Sequence, residues 1–210
     1  MEKSLIELFE NEKIVNKIKK RLPYLFQIAE LESSRDGKIG MEVGSLREKV
    51  IIALLIYKFG EKNISTNIPI TKAEIDVIVF NNPISIKTIT GKNPSGIKLI
   101  WTVDANSARE FMNNYIPSCD MILINIIWND KGSFYYIPLE VQKEIFKKLG
   151  KEKYIKLPKP GTNPRGVEMS KDAIIALTNH KLTKRIPIDW VKSEIKYHPY
   201  ERWVDLWSKE

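Results

Sequence analysis

One cysteine, two histidines and no extended apolar run set the first limits on this 210-residue chain. With Cys119 alone, no intramolecular disulfide can form, and nothing points to an oxidising compartment. Cys119 precedes the apolar run Met121 to Trp128 and reads as a buried filler. His180 and His198 lack metal-ligand spacing with Cys119, which excludes a thiolate–imidazole zinc site. Neither a P-loop nor a dinucleotide-type glycine loop occurs. No apolar stretch approaches the ~20 residues that span a bilayer. Met1 to Phe9 has no signal-type apolar core. A soluble, cytoplasmic chain is expected, without repeats or low-complexity tracts.

Acids are outnumbered. The 34 Lys and Arg against 26 Asp and Glu give a formal charge of +8, which suits a polyanion partner. The excess is concentrated. Lys143 to Arg165 holds eight basic residues and two acidic ones. A solvated basic surface would account for that run equally well.

Periodicity predicts helices over 4–20 and, after Pro23, over 24–32. Ser33 to Gly44 reads as a loop, and Ser45 opens a helix that Gly60 closes after Phe59. Strands are expected at 74–80, 84–90, 97–103, 121–128 and 134–138, the fourth buried on both faces. Further helices are expected at 105–115, 139–149, 170–178 and 187–195. The fold class is α/β, with a mixed central sheet flanked by helices, in one domain over 1–210. Trp190, Trp203 and Trp207 read as core or dimer contacts.

The chemistry lies in a hairpin. Glu74, Asp76, Ile78 and Phe80 share one strand face because side chains alternate. With Asn81-Asn82 as the turn, Asp76 faces Lys87, their Cβ atoms ~5 Å apart. An acid beside a lysine at a sheet edge is what a metal-dependent phosphodiesterase needs; the structural alternative is a cross-strand ion pair. Glu48 has two readings. With Ser45 it has capping-box spacing. Lying a turn before Ile52, it would also point inward, where a carboxylate needs a partner such as a metal ion. The loop Pro158-Lys159-Pro160-Gly161-Thr162-Asn163-Pro164-Arg165-Gly166 is rigid and basic. Arg165 suits bidentate binding to guanine, with Lys159, Thr162 and Asn163 beside it. An ordinary proline–glycine loop is the alternative. Met41, between Gly40 and Gly44, is either a mobile loop residue or an apolar wedge for a base step.

Glu48, then Asp76, then Ser85-Ile86-Lys87 resembles the active site of the PD-(D/E)XK nucleases, with Ser85 where a second acid usually stands. The stretch from Ser45 to Thr88, with the 161–166 loop, is similar to type II restriction endonucleases, the ThaI family above all. That resemblance implies a restriction-endonuclease-like core over 41–138, a helical part over 1–40, and a DNA-reading and C-terminal part over 139–210. It implies Mg²⁺-dependent hydrolysis of double-stranded DNA at CGCG, with blunt ends, a 5′-phosphate and a 3′-hydroxyl. Asp76, the Ile86 carbonyl and Glu48 would hold one Mg²⁺, Lys87 would act on the attacking water, and Ser85 would support them. A palindromic target implies a homodimer, and a cognate DNA methyltransferase would belong to the same prokaryotic system without being a binding partner. The resemblance also raises Met41 as an intercalating residue. Two rival readings are a junction-resolving nuclease of the same fold and a non-catalytic DNA-binding protein.

Overall fold

Apolar residues along six strands build the central sheet. The computed structural model describes residues 4–35, 38–69, 74–102, 104–158 and 166–209. The strands are β1 (Ser34–Arg35), β2 (Lys38–Ile39), β3 (Ile64–Ser65), β4 (Val77–Val79), β5 (Asn82–Thr90), β6 (Lys98–Ile100), β7 (Asp120–Ile126), β8 (Asp130–Ile137), β9 (Ile155–Lys156), β10 (Val167–Met169) and β11 (Lys184–Trp190). The helices are α1 (Glu7–Glu10), α2 (Glu12–Glu32), α3 (Val43–Phe59), α4 (Ala105–Asn114), α5 (Leu139–Leu149), α6 (Lys151–Tyr154), α7 (Lys171–Thr178) and α8 (Glu201–Trp207).

The main sheet has six strands in the order β11-β8-β7-β5-β4-β3. β5 and β7 are parallel and the other pairs antiparallel, so the sheet is mixed. Its centre is β7, buried on both faces as the apolar run predicts. On one face Leu8, Ile18, Phe26, Ile51 and Leu55 of α1–α3 pack on Ile84, Ile122, Ile124 and Phe134. On the other, Val141, Ile145, Ile174 and Leu177 of α5 and α7 pack on Ile89, Met121 and Leu123. Truncating a buried leucine such as Leu55 to alanine costs about 2–5 kcal/mol, because the cavity cannot fully close. A small second sheet, β6-β10-β9, lies with this second core. The mixed α/β layout is the one expected from the sequence.

Three expectations change. α2 runs through Pro23 instead of breaking there. The buried series Ile18, Leu22, Phe26 and Ala29 continues across the proline, and that packing outweighs one lost backbone bond. The helix expected at 187–195 is instead strand β11. Ile186, Ile188 and Trp190 are buried while Arg185, Pro187 and Asp189 are exposed, a period of two, and Pro187 is tolerated because β11 is an edge strand. Trp190 is a core residue beside Gly132, where an added Cβ would lie 2.4 Å from the indole Nε1. Trp203 and Trp207 are exposed, so neither is in the core.

Candidate active site

The helix that carries Glu48 begins at Val43, two residues before the expected start. Ser45 therefore lies inside the helix and does not cap it; the N-cap position is Glu42, with no side-chain cap bond. That removes the capping-box reading of Glu48. The buried stripe of α3 is Arg47, Ile51, Leu55 and Phe59, and Glu48 flanks it, half-buried at the helix's first turns.

Arg47 holds this end of α3 in place. Its Nη2 donates to Glu30 Oε1 of α2 at 2.5 Å, with the two side chains only 6% and 5% exposed. Trp128 Nε1 donates to the same oxygen at 2.8 Å, and Arg47 Nη1 donates to Thr90 Oγ1 at 3.2 Å. Burial pulls the Arg47 guanidinium below its usual range and Glu30 opposes that pull. Both residues were missed in the sequence. Arg47 stands at i, i+4 and i+8 from Ile51 and Leu55, and a charge on an apolar stripe signals a buried partner.

The hairpin register differs from expectation by two residues. Val79 pairs with Asn82, Ile78 with Pro83 and Val77 with Ile84, and the turn is Phe80-Asn81 at φ +50° and +69°. Both turn residues are left-handed, as a tight two-residue hairpin requires. The slip moves Pro83 away from the turn-closing position, where a backbone N–H is needed. A two-residue shift keeps every side chain on its predicted face. Asp76 sits just ahead of β4, and its backbone N–H bonds to the Ile84 carbonyl at 3.0 Å.

From that position the Asp76 carboxylate replaces the missing strand. Its Oδ2 accepts from the Ile86 backbone N–H at 2.6 Å, from Ser85 Oγ at 3.3 Å and from Lys87 Nζ at 3.3 Å. A strand residue presents its N–H and C=O to the same edge. The Ile86 carbonyl is therefore aimed along the edge Asp76 occupies. Ser85 is buried, and its hydroxyl supports the acid. Glu74 does not join this cluster. Its carboxylate accepts from Tyr115 Oη at 2.8 Å and from the Ser118 hydroxyl. Cys119 is buried, and burial with the Glu74 charge pushes its thiol up to about 12, so it is inert.

Glu48, Asp76, Ile86, Lys87 and Met41 line one cleft of about 700 Å³, together with Ser45, Lys98 and Trp101. Burial raises the Glu48 carboxyl above its usual value; Asp76 raises it further, while Lys87 and Lys49 oppose. Glu48 and Asp76 put two carboxylates on this cleft, beside Lys87, which pairs with Asp76, and Lys98, which pairs with Glu168. With a carbonyl on the same edge, this oxygen donor set fits a hard divalent cation that keeps several waters. Among the described residues no group of three or more His, Cys, Asp or Glu forms a metal cage. A cation here would draw on the two acids, the carbonyl and water.

Met41 is 79% exposed at the cleft's rim, and Trp101 is 64% exposed. Lys98 of β6 also lines the cleft and is held by Glu168 of β10 at 2.5 Å, with Lys156 on the other carboxylate oxygen at 3.1 Å. Lys159, Thr162, Asn163 and Arg165 lie outside the described residues. Their loop ends at Gly166, which has φ +118° and sits so close to Ile100 that an added Cβ would be 2.2 Å from its carbonyl oxygen. Only glycine fits there. β10 then pairs with β6, so the chain re-enters the fold beside the cleft wall.

A mixed sheet with an acid–lysine edge and a helical glutamate facing one cleft has the architecture of a DNA-cleaving enzyme of the restriction class. The chain belongs to the restriction endonuclease ThaI family, whose model matches residues 8–209. It is similar to a solved structure described as a restriction endonuclease in complex with substrate DNA. The identity is 58%, the match covers 97% of this chain and 98% of that one, and the TM-score is 0.92. No curated protein matches the chain. Among the described residues no helix is long and apolar enough to cross a membrane.

Proposed function

We propose that this enzyme cuts double-stranded DNA at a short palindrome, CGCG, to blunt ends, with Mg²⁺ bound in the cleft of Glu48, Asp76 and Lys87. The observation that carries the reading is the convergence of those residues from α3, the β4 edge and β5 on one cleft. The site is of the PD-(D/E)XK kind, with Ser85 in the place of the second acid.

Asp76, the Ile86 carbonyl and Glu48, directly or through water, would hold Mg²⁺. When bound, that ion supplies Lewis-acid stabilisation of the phosphoryl oxygens and a more acidic water. Asp76 is fixed by three hydrogen bonds on Oδ2, so little reorganisation is needed. Lys87 Nζ, 3.3 Å from that oxygen, orients the attacking water and stabilises the charge that grows at phosphorus. Cleavage of the P–O3′ bond leaves a 5′-phosphate and a 3′-hydroxyl. Arg165 reads guanine, with Asn163, Thr162 and Lys159 beside it, and the exposed Met41 enters the base stack. A palindrome presents two equivalent half-sites, so two copies act together. The chain works as one nuclease unit in a prokaryotic cytoplasm, where a separate methyltransferase protects the host's sites.

The test is incubation of a plasmid of known sequence with Mg²⁺ or with EDTA, followed by sequencing of the ends. Discrete Mg²⁺-dependent blunt ends at CGCG support the reading. Fixed ends at another sequence overturn the target. Cutting confined to branched junctions favours the resolvase reading. Tight binding with no cutting favours a non-catalytic DNA-binding protein.

A further inference from the structure

Two apolar surfaces lie apart from the cleft. The first is α8, none of whose residues is buried. Tyr200, Trp203, Val204 and Trp207 are 66%, 55%, 57% and 90% exposed. They fall at i, i+3, i+4 and i+7, which places them on one stripe of the helix. Glu201 and Asp205 flank that stripe. Isolated exposed apolar residues need no explanation, but a stripe with two tryptophans marks a contact surface.

The second is a groove of about 340 Å³ between α2 and α3. Its walls are Leu22, Leu25, Val50, Ala53, Leu54 and Tyr57. Lys17 and Arg21 stand on its rim, and each already lies over a tyrosine ring, that of Tyr57 and that of Tyr24. The groove follows α2 from Lys17 to Leu25, ~12 Å at the helical rise; the seven residues of α8 span ~10 Å. The two surfaces match in length and apolar character, and α8 carries Glu201 and Asp205, beside Arg202 over the Trp203 ring, against a groove rimmed by Lys17 and Arg21.

We propose that α8 of a second copy of this chain seats in the α2–α3 groove, in a reciprocal exchange. Each copy gives one helix and one groove, so the contact closes about a two-fold axis. The tryptophans enter against Leu22 and Leu54, with Arg202 kept over the Trp203 ring. Glu201 and Asp205 meet the basic rim. The arm is rooted next to the groove: Gln27 Nε2 donates to the Ser193 carbonyl at 2.6 Å, and the Ser193 N–H donates back to Gln27 Oε1 at 2.9 Å. The proposal rests on the reading that two copies act together, and it names the surface they use.

The test mixes two single variants, Ala53→Cys and Ser208→Cys, each in a Cys119→Ser background, with a short bismaleimide. A covalent product of two different copies can arise only between chains, and it is the expected result. Light scattering of Ala53→Arg is the second measurement. Ala53 is exposed, so the fold tolerates the change. The mass is expected to fall from two copies to one. Linkage within one doubly substituted chain, with none between mixed chains, overturns the exchange. A two-copy mass that survives Ala53→Arg and gives no cross-link overturns the surface but leaves the pairing of copies standing. A one-copy mass for the unaltered chain, free and on its DNA, overturns both.

Discussion

Asp76 takes the backbone N–H of Ile86 through its carboxylate oxygen, at 2.6 Å, just ahead of the start of strand β4. A side chain thus does the work of a strand backbone, and it fixes the acid and a main-chain carbonyl along one edge. Asp76→Asn keeps a carbonyl oxygen for that bond but removes the charge. The expected outcome is a cooperative fold with near-normal specific DNA binding and a cleavage rate at least ~10²-fold lower, consistent with loss of a charged catalytic group. Single-turnover kinetics beside thermal unfolding check it. Unchanged cleavage would remove Asp76 from the site.

Glu48 gives a pH prediction with a definite sign. Its carboxyl is raised above 4.5, chiefly by burial and then by Asp76. Folding therefore favours its protonated form. The stability it contributes is fully present below the unfolded value and is lost as pH rises through the folded one. Glu48→Gln should raise the melting midpoint at neutral pH, and the gap should close in mild acid. A cation must displace that proton, so affinity for Ca²⁺, used as a binding probe, should climb with pH and flatten in Glu48→Gln. Calorimetry over a pH series measures both. A pH-independent Ca²⁺ affinity in the unaltered chain would contradict the assignment.

Arg47 and Glu30 yield a stability prediction that is independent of chemistry. Arg47→Ala leaves the Glu30 carboxylate buried without its main partner, a loss of about 3–5 kcal/mol. Replacing both, as Arg47→Met with Glu30→Gln, should recover much of that loss. Because Arg47 adjoins Glu48, the double variant should fold yet cleave more slowly. Denaturant unfolding of the singles and the double separates the two effects, and an additive double would show that the pair is not coupled.

The reading loop is tested through selectivity. Arg165→Ala should lose affinity for the specific duplex by about 1–3 kcal/mol while random duplex binding changes little. Competition binding at fixed salt measures the ratio. Equal losses on both duplexes would make Arg165 a phosphate contact.

Much of the site was legible because its residues obey local rules. Side-chain alternation placed Asp76 and Lys87 on one face, and that survived a register error, since a slip of two changes no faces. The apolar run at 121–126 announced the central strand. What stayed hidden depends on distance in sequence. The Glu30–Arg47–Trp128 cluster joins α2, α3 and the turn after β7, and no window of the chain contains it. The break expected at Pro23 and the helix expected at 187–195 failed for a related reason. Tertiary packing tolerates Pro23 inside a helix, and the sheet edge holds 184–190 as a strand, and neither context is visible locally. Lys98 and Trp101 were legible as residues that follow the hairpin toward the DNA side; the pairing of β6 with β10 that holds them at the cleft, a contact across nearly seventy residues, was not.

The central claim is that DNA is cut in the cleft of Glu48, Asp76 and Lys87. The most direct test compares unaltered chain and Lys87→Ala on one short duplex, with binding and single-turnover cleavage measured in the same Mg²⁺ buffer. The account predicts affinity within a few-fold and cleavage slower by ~10²-fold or more. Cleavage by Lys87→Ala at the unaltered rate would contradict it.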